Sequence, residues 1–321
     1  MGVAAEANDK TGFLDIAENL KVPPHVAVKV FEGMQPKPIP DIGLEESEGL
    51  ANFTPTLHEF KNYIKCLNPR SAGGPSGMTY LLVQYWPDNV KERVYTSIKE
   101  DWTARKPFKS WGIRILQVIP KNSDPKLSEL RPLMLVEVMR KIWVGLIMRR
   151  IASFWEKWNL VDQSQHAYLR GKGTHTVLPQ LLNCLEGARD FKTSIYLSSW
   201  DMKKAFDSVG RKFLLWCLVR LRIPKELASY MIGLDVGGKV FVKCPKNMEV
   251  AERGLAALDK EGYSFLTEKG IGQGDMPSPL FWVAVLDTLL STLRSMPSGF
   301  RIQDMNGNTH PAEDMAYADE I

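Results

Sequence analysis

Two short acidic segments carry residue types at a spacing that could do chemistry. In one, Ser199-Trp-Asp-Met-Lys-Lys-Ala-Phe-Asp207, Asp201 precedes Ala205 and Phe206; in the other, Asp319 and Glu320 follow Ala316-Tyr-Ala. Each follows a run that reads as a strand, and an acid at a strand end faces the cleft at the sheet edge. Two such strands side by side bring their carboxylates together. Two divalent ions about 3.5–4 Å apart can then bind between them and stabilise both the attacking and the leaving oxygen of a phosphoryl transfer. Hard oxygen donors and substrate phosphates are what Mg2+ takes. Either segment alone is a weak signal, because an Asp at a strand end is more often a turn residue or a helix cap.

The elements that must position these acids follow from apolar spacing. Leu57, Phe60 and Ile64 predict a helix that halts at Asn68-Pro69, and a turn-rich segment from Ser71 to Gly77 precedes helices over 79–86 and 89–104. Residues 112–119 are β-branched and partly alternating, which predicts a strand ended by Pro120. A long helix is expected over 135–157, with Val136, Met139, Trp143, Leu146, Ile147 and Ile151 on one side. In the second half a short buried strand is expected over 194–200, helices over 211–221 and 225–234, and strands over 239–243 and 263–269 around a polar insertion. A helix over 278–293 and a hairpin of 300–304 with 313–317, turning through Asn306-Gly307-Asn308, complete the pattern. This order resembles a ferredoxin-like β-α-β-β-α-β plan with additions.

Composition bounds the answer without choosing it. A chain of 321 residues, 44% hydrophobic and 24% charged, can bury a sizeable core in one large or two smaller domains. Its net charge of +4 does not announce a nucleic-acid partner, but the charge is unevenly spread. Residues 1–50 hold four Lys/Arg against nine Asp/Glu, whereas 105–150 hold eleven against three. Such a basic field suits a phosphate-rich ligand, although a solvated face is the commoner cause. Cys66, Cys184, Cys217 and Cys244 lack the close spacing of a zinc or redox motif, which predicts four free thiols in a reducing compartment. The apolar stretches are broken by Glu137, Arg140 and Lys141 or by Asp287, so no membrane span is expected. Met1-Gly2 lacks the Ser or Thr of a myristoylation signal at Glu6, and no secretory signal follows. The expectation is an intracellular protein of cytoplasm or nucleus.

Taken in order, Asp-x-x-x-Ala-Phe-Asp from Asp201, Gly270-Ile-Gly-Gln-Gly-Asp-Met-Pro-Ser-Pro279 and Tyr317-Ala-Asp319 resemble the palm motifs of reverse transcriptases of the non-LTR retrotransposon and group II intron kind. Upstream, Ile119-Pro-Lys121 with Arg131-Pro132 resembles their fingers, and Gln165-His-Ala-Tyr-Leu-Arg-Gly-Lys-Gly-Thr174 their next block. Ala72-Gly-Gly-Pro-Ser-Gly77 matches the glycine-proline element before those fingers, so six blocks agree in order from about residue 65 onward.

The resemblance implies an α/β (α+β) chain. Residues 1–54 would be an acidic, proline-interrupted arm, 55–190 helical fingers with a small antiparallel sheet, and 191–321 a ferredoxin-like palm, incomplete at its end and without a thumb. It implies an RNA-directed DNA polymerase that copies an RNA template from a DNA or RNA primer with dNTPs, and that belongs with a missing thumb or the rest of a longer polyprotein. Asp201 and Asp319 match the metal-binding aspartates, with Met202 offering a backbone carbonyl, for two Mg2+ ions or Mn2+ in their place. Glu320 stands where the family has a further aspartate and reaches one methylene more. Lys121 and Arg131 match the residues that hold the triphosphate, as a point charge and a planar fork. Ala205 and Phe206 match the residues under the incoming sugar, where a ring crowds a 2′-hydroxyl; simple core packing is the ordinary fate of such a Phe. Gln273 and Gly274 match the element beneath the new base pair, and Arg170, Gly171, Lys172 and Gly173 a template contact. Trp102, Trp111, Trp155, Trp158 and Tyr168 could stack on bases, but core packing is the commoner role. Two alternatives share this palm or its remains. One is an RNA-templated RNA polymerase or maturase, and the other a catalytically impaired remnant that acts as an RNA-binding or interaction module.

Overall fold

The structure, a computed structural model, describes residues 54–106, 108–120, 130–197, 199, 202, 205–244, 247–293, 301–303, 309–311 and 316. The arm expected over 1–54 lies outside them except for Thr54. The elements run α1 (Leu57–Lys65), α2 (Tyr80–Gln84), α3 (Asp88–Thr103), a 3-10 turn (Lys109–Gly112), β1 (Arg114–Pro120), β2 (Leu130–Val136), α4 (Val138–Lys157), α5 (Thr174–Asp190), α6 (Ala205–Ser208) and α7 (Arg211–Arg220). They continue with α8 (Lys225–Gly233), β3 (Lys239–Lys243), α9 (Met248–Glu252), α10 (Leu255–Lys260), β4 (Ser264–Leu266), α11 (Ser278–Leu293), β5 (Arg301–Gln303) and β6 (Thr309–Pro311). Two compact units interleave along the chain: 54–151 with 223–278, and 152–222 with the described residues from 279 onward.

The first unit is built on a four-stranded sheet of order β2-β1-β3-β4. β1 is antiparallel to β2, with Arg114 opposite Val136, and parallel to β3, with Arg114 opposite Val240; β3 is antiparallel to β4. The sheet is therefore mixed, where a small antiparallel one was expected, because strands from both sides of the 152–222 segment join it. Successive residues of β3 point to opposite faces. Val240 packs with Met134 and Val136 on one face, and Phe241 with Ala251 and Leu258 on the other. The polar insertion expected between β3 and β4 contains the helix pair α9 and α10, which covers this second face.

β2 was not expected as a strand, and α4 begins at Val138, later than the predicted 135. Pro132 argues against a central strand, but β2 is an edge, where a missing N–H costs no ladder bond. α4 is buried nearly all round from Val138 to Met148, beyond the one-sided stripe foreseen. The Trp102 ring meets Trp143 edge-on at 6.0 Å and Tyr230 at 5.0 Å, so Trp102 belongs to the core, as does Trp111. α1 starts on a capping box: Glu59 N–H donates to Thr56 Oγ1 at 3.2 Å, and Thr56 N–H to the Glu59 carboxylate at 2.8 Å.

In the second unit, α7 buries Phe213, Leu214, Cys217 and Leu218, and α11 is buried along almost its whole length. Burial pushes the Cys217 thiol up to about 12, and all four cysteines are free. Trp155 is core, and its Nε1–H donates to Leu221 O at 3.1 Å. The strand expected over 194–200 is not seen in its described residues: 194–197 and Ser199 carry no ladder, and Tyr196 is 94% exposed. Tyr196 and Leu197 both turn to solvent, so these described residues bury no apolar face that pairing would complete. β5 and β6 pair antiparallel, Arg301 opposite Pro311; the turn expected at 306–308 and the strand expected over 313–317, except Ala316, lie outside the described residues. No helix of the described residues is long and apolar enough to cross a membrane.

Candidate active site

In the first unit the loop bearing Gln273 and Gly274 docks on the free edge of β2, where Met134 N–H donates to Gln273 O at 2.9 Å. Gly274 has φ +94°, a region that L side chains avoid, and a Cβ there would come within 2.7 Å of Leu133 Cδ1. The next residue, Asp275, turns inward. Its carboxylate pairs with Arg140 and accepts the Met276 N–H at 2.8 Å. Arg140 also donates to Asp235 Oδ1 at 2.8 Å and to Trp111 O at 2.7 Å, while Arg114 meets Asp235 Oδ1 at 3.2 Å and Thr267 Oγ1 at 2.7 Å. All four charged residues are buried, two of each sign. Burial pushes the Asp275 carboxyl up, and Arg140 opposes that shift. Ser278 Oγ–H closes the loop on Gly272 O at 2.7 Å. Arg131 lies on β2 opposite Ile119, on the same strand that receives Gln273.

In the second unit Ala316, three residues before Asp319 in sequence, makes a parallel bridge with Gln165. Ala316, fully buried, donates its N–H to Ser164 O at 2.9 Å and accepts from His166 N–H at 2.9 Å. The 162–166 segment is itself held by α11: Asp162 N–H donates to Asp287 Oδ1 at 2.5 Å, and Asp287 pairs with Arg220. Burial pushes the Asp287 carboxyl up against the pull of Arg220. Met202 and Ala205 are buried, and Phe206 is half-buried with its ring stacked on Trp282, centroids 5.4 Å apart and planes at 26°.

The basic loop is built differently. Arg170 and Gly171 are exposed, but Lys172 turns its ammonium back onto Gln163 O at 2.8 Å and Gln165 O at 3.0 Å. Thr176 Oγ1 donates to Gly173 O at 2.6 Å and accepts Gly173 N–H at 3.0 Å, which secures the start of α5. Tyr168 is 46% exposed, unlike the core tryptophans.

The structure thus brings Gln273 and Gly274 to the strand of Arg131, and Phe206 onto Trp282. Lys121, Asp201, Asp319 and Glu320 lie outside the described residues. Among the described residues no group of three or more His, Cys, Asp or Glu could hold a metal. Sequence reasoning missed Arg140, Asp235, Asp275 and Asp287 as anchors. Arg140 and Asp287 did leave a signal: each is a charge inside a largely apolar helical run.

The family model described as Reverse transcriptase (RNA-dependent DNA polymerase) matches residues 119–321. The chain is 26% identical over 224 residues to the Retrovirus-related Pol polyprotein from type-1 retrotransposable element R2 of Nasonia vitripennis, covering 70% of this chain and 20% of that protein. It is 25% identical over 257 residues to the polyprotein from type-2 retrotransposable element R2DM of Drosophila melanogaster, covering 78% of this chain and 21% of the relative. The Transposon TX1 uncharacterized 149 kDa protein of Xenopus laevis shares 22% identity over 189 residues, 59% of this chain and 14% of that protein. The chain thus spans about a fifth or less of the length of these relatives. Because one family match takes in more than half of its residues, including the Gln273–Gly274 loop and both acidic segments, the chain belongs to the reverse transcriptase family.

Proposed function

We propose that this chain is the RNA-directed DNA polymerase portion of a retroelement polyprotein, with residues 55–190 as fingers and 191–321 as palm. The reading is carried by the match over 119–321, which contains every individual site residue named below. The primer 3′-hydroxyl attacks the α-phosphate of a dNTP, a P–O bond forms, and pyrophosphate leaves. The carboxylates of Asp201 and Asp319 with the Met202 carbonyl are hard oxygen donors, a set that suits Mg2+. Two bound ions would stabilise the attacking and leaving oxygens. Lys121 and Arg131 bind the triphosphate, and Gln273 with Gly274 lies beneath the new base pair. Arg170 and its neighbours meet the template, and the Phe206 ring disfavours a 2′-hydroxyl. The docking of Gln273 on β2, whose residues include Arg131, supports these roles.

Primer extension on an RNA template with dNTPs and Mg2+ tests this. Extension is expected, with a loss of about a hundredfold or more in Asp201→Ala. Extension that survives Asp201→Ala would overturn the assignment. Glu320 favours a second reading, an RNA-binding remnant with impaired turnover. Salt-sensitive RNA binding without Mg2+-dependent extension is its mark.

A further inference from the structure

We infer that Trp282 is a positioning residue for sugar selectivity, acting through Phe206; the inference rests on the polymerase reading above. Phe206 sits on α6, a helix of four residues that does little by itself to fix a ring. What holds the ring is Trp282, stacked on it at 5.4 Å with planes at 26°. Trp282 is fully buried on α11, and α11 is itself pinned at Asp287 by Arg220 and by the Asp162 N–H. Phe206, by contrast, keeps part of its surface uncovered. The pair is therefore a fixed inner ring beneath an outer one that can respond to it. Protein interiors are close-packed, so volume removed beneath a half-covered ring lets that ring sink toward the gap. A Phe206 ring that sinks away from the sugar leaves room for a 2′-hydroxyl.

The test is competition between a dNTP and the matching rNTP in one extension reaction on an RNA template with Mg2+. Preference is read as the ratio of the two products. A loss of folded protein lowers both products alike and leaves the ratio unchanged, so the ratio reports on whatever fraction is folded. Trp282→Phe is expected to lower the dNTP preference about three- to tenfold, the size of a ring-stacking contribution. Added to Phe206→Ala, the same substitution is expected to change nothing further, because the ring it acts through is gone. An unchanged preference in Trp282→Phe, or an equal fall in both backgrounds, would overturn the inference and leave the polymerase reading intact. A wild-type chain that does not extend, or that takes both sugars equally, overturns the underlying reading and the inference with it.

Discussion

The Gln273–Gly274 loop and the Arg170–Gly173 loop both match nucleic-acid polymerase motifs, yet they are anchored in opposite ways. The first is followed at once by Asp275, whose carboxylate enters a buried cluster with Arg140, Asp235 and Arg114. The second lies at the surface and is gathered by the Lys172 ammonium on two backbone carbonyls and by Thr176 at the start of α5. A buried charge cluster tolerates few arrangements, because a partner that moves away leaves a desolvated charge behind, whereas water can replace a surface ammonium at small cost. Two loops of similar chemistry therefore differ in how sharply their shape is specified. On the roles proposed above, the first loop would meet a base pair at a fixed depth and the second a template strand at the surface.

Substitutions can break this contrast, beginning with the largest effect. Asp275→Ala leaves the Arg140 guanidinium short of a partner in the core and is expected to cost about 3–5 kcal/mol, read as a fall in the urea midpoint. The double change Arg140→Met with Asp275→Leu is expected to recover most of that stability, since apolar pairs often replace buried ion pairs at no loss. Full stability in Asp275→Ala alone would remove the distinction between the loops. Gly274→Ala and Gly171→Ala compare the loops directly, as both glycines have positive φ, +94° and +72°. Strain at Gly274 adds to the approach of Leu133, whereas nothing lies within 4 Å of a Cβ at Gly171. Thermal melts are expected to show a cost of about 1–2 kcal/mol for the first and about 1 kcal/mol for the second. The smallest effect is a pH dependence. Burial holds the His166 imidazole below its ordinary value, and Lys172 adds to the shift. The unfolded chain then binds this proton more readily than the folded one. The contribution to stability is full above the ordinary histidine pKa of about 6.5 and is lost as pH falls through it toward the lower folded value. Urea midpoints are expected to fall between about pH 7.5 and 5.5 in the wild type and to flatten in His166→Gln.

Much of this architecture was legible in the residues. The helical spacing of Leu57, Phe60 and Ile64 and the β-branched run of β1 each led to the element found. β2 was hidden because Pro132 reads as a strand breaker, and only its place at a sheet edge makes it tolerable. The segment 194–200 misled in the opposite sense, since its apolar letters suggest burial while Tyr196 and Leu197 are exposed. Motif order was sufficient to single out Gln273, Gly274 and Phe206. Their supports were harder to see, because a charge in an apolar helix shows only that something unusual is there. Arg140 and Asp287 first stood out as interruptions that rule out a membrane span. Their partners, Asp235 and Asp275 for one and Arg220 and the Asp162 N–H for the other, are distant in sequence and are brought close only by the fold.

The parallel pairing of β1 with β3 also bears on how the chain reaches its native state. Arg114 meets Val240, and the whole 152–222 segment is synthesised between them. On a ribosome β1 and β2 emerge as a hairpin whose inner edge must wait, unpaired, for β3. Long-range parallel pairing is slow, and a waiting edge invites pairing with other chains. Fragments that stop before Lys239 leave that edge of β1 without its partner and are expected to aggregate more readily than chains that reach β3.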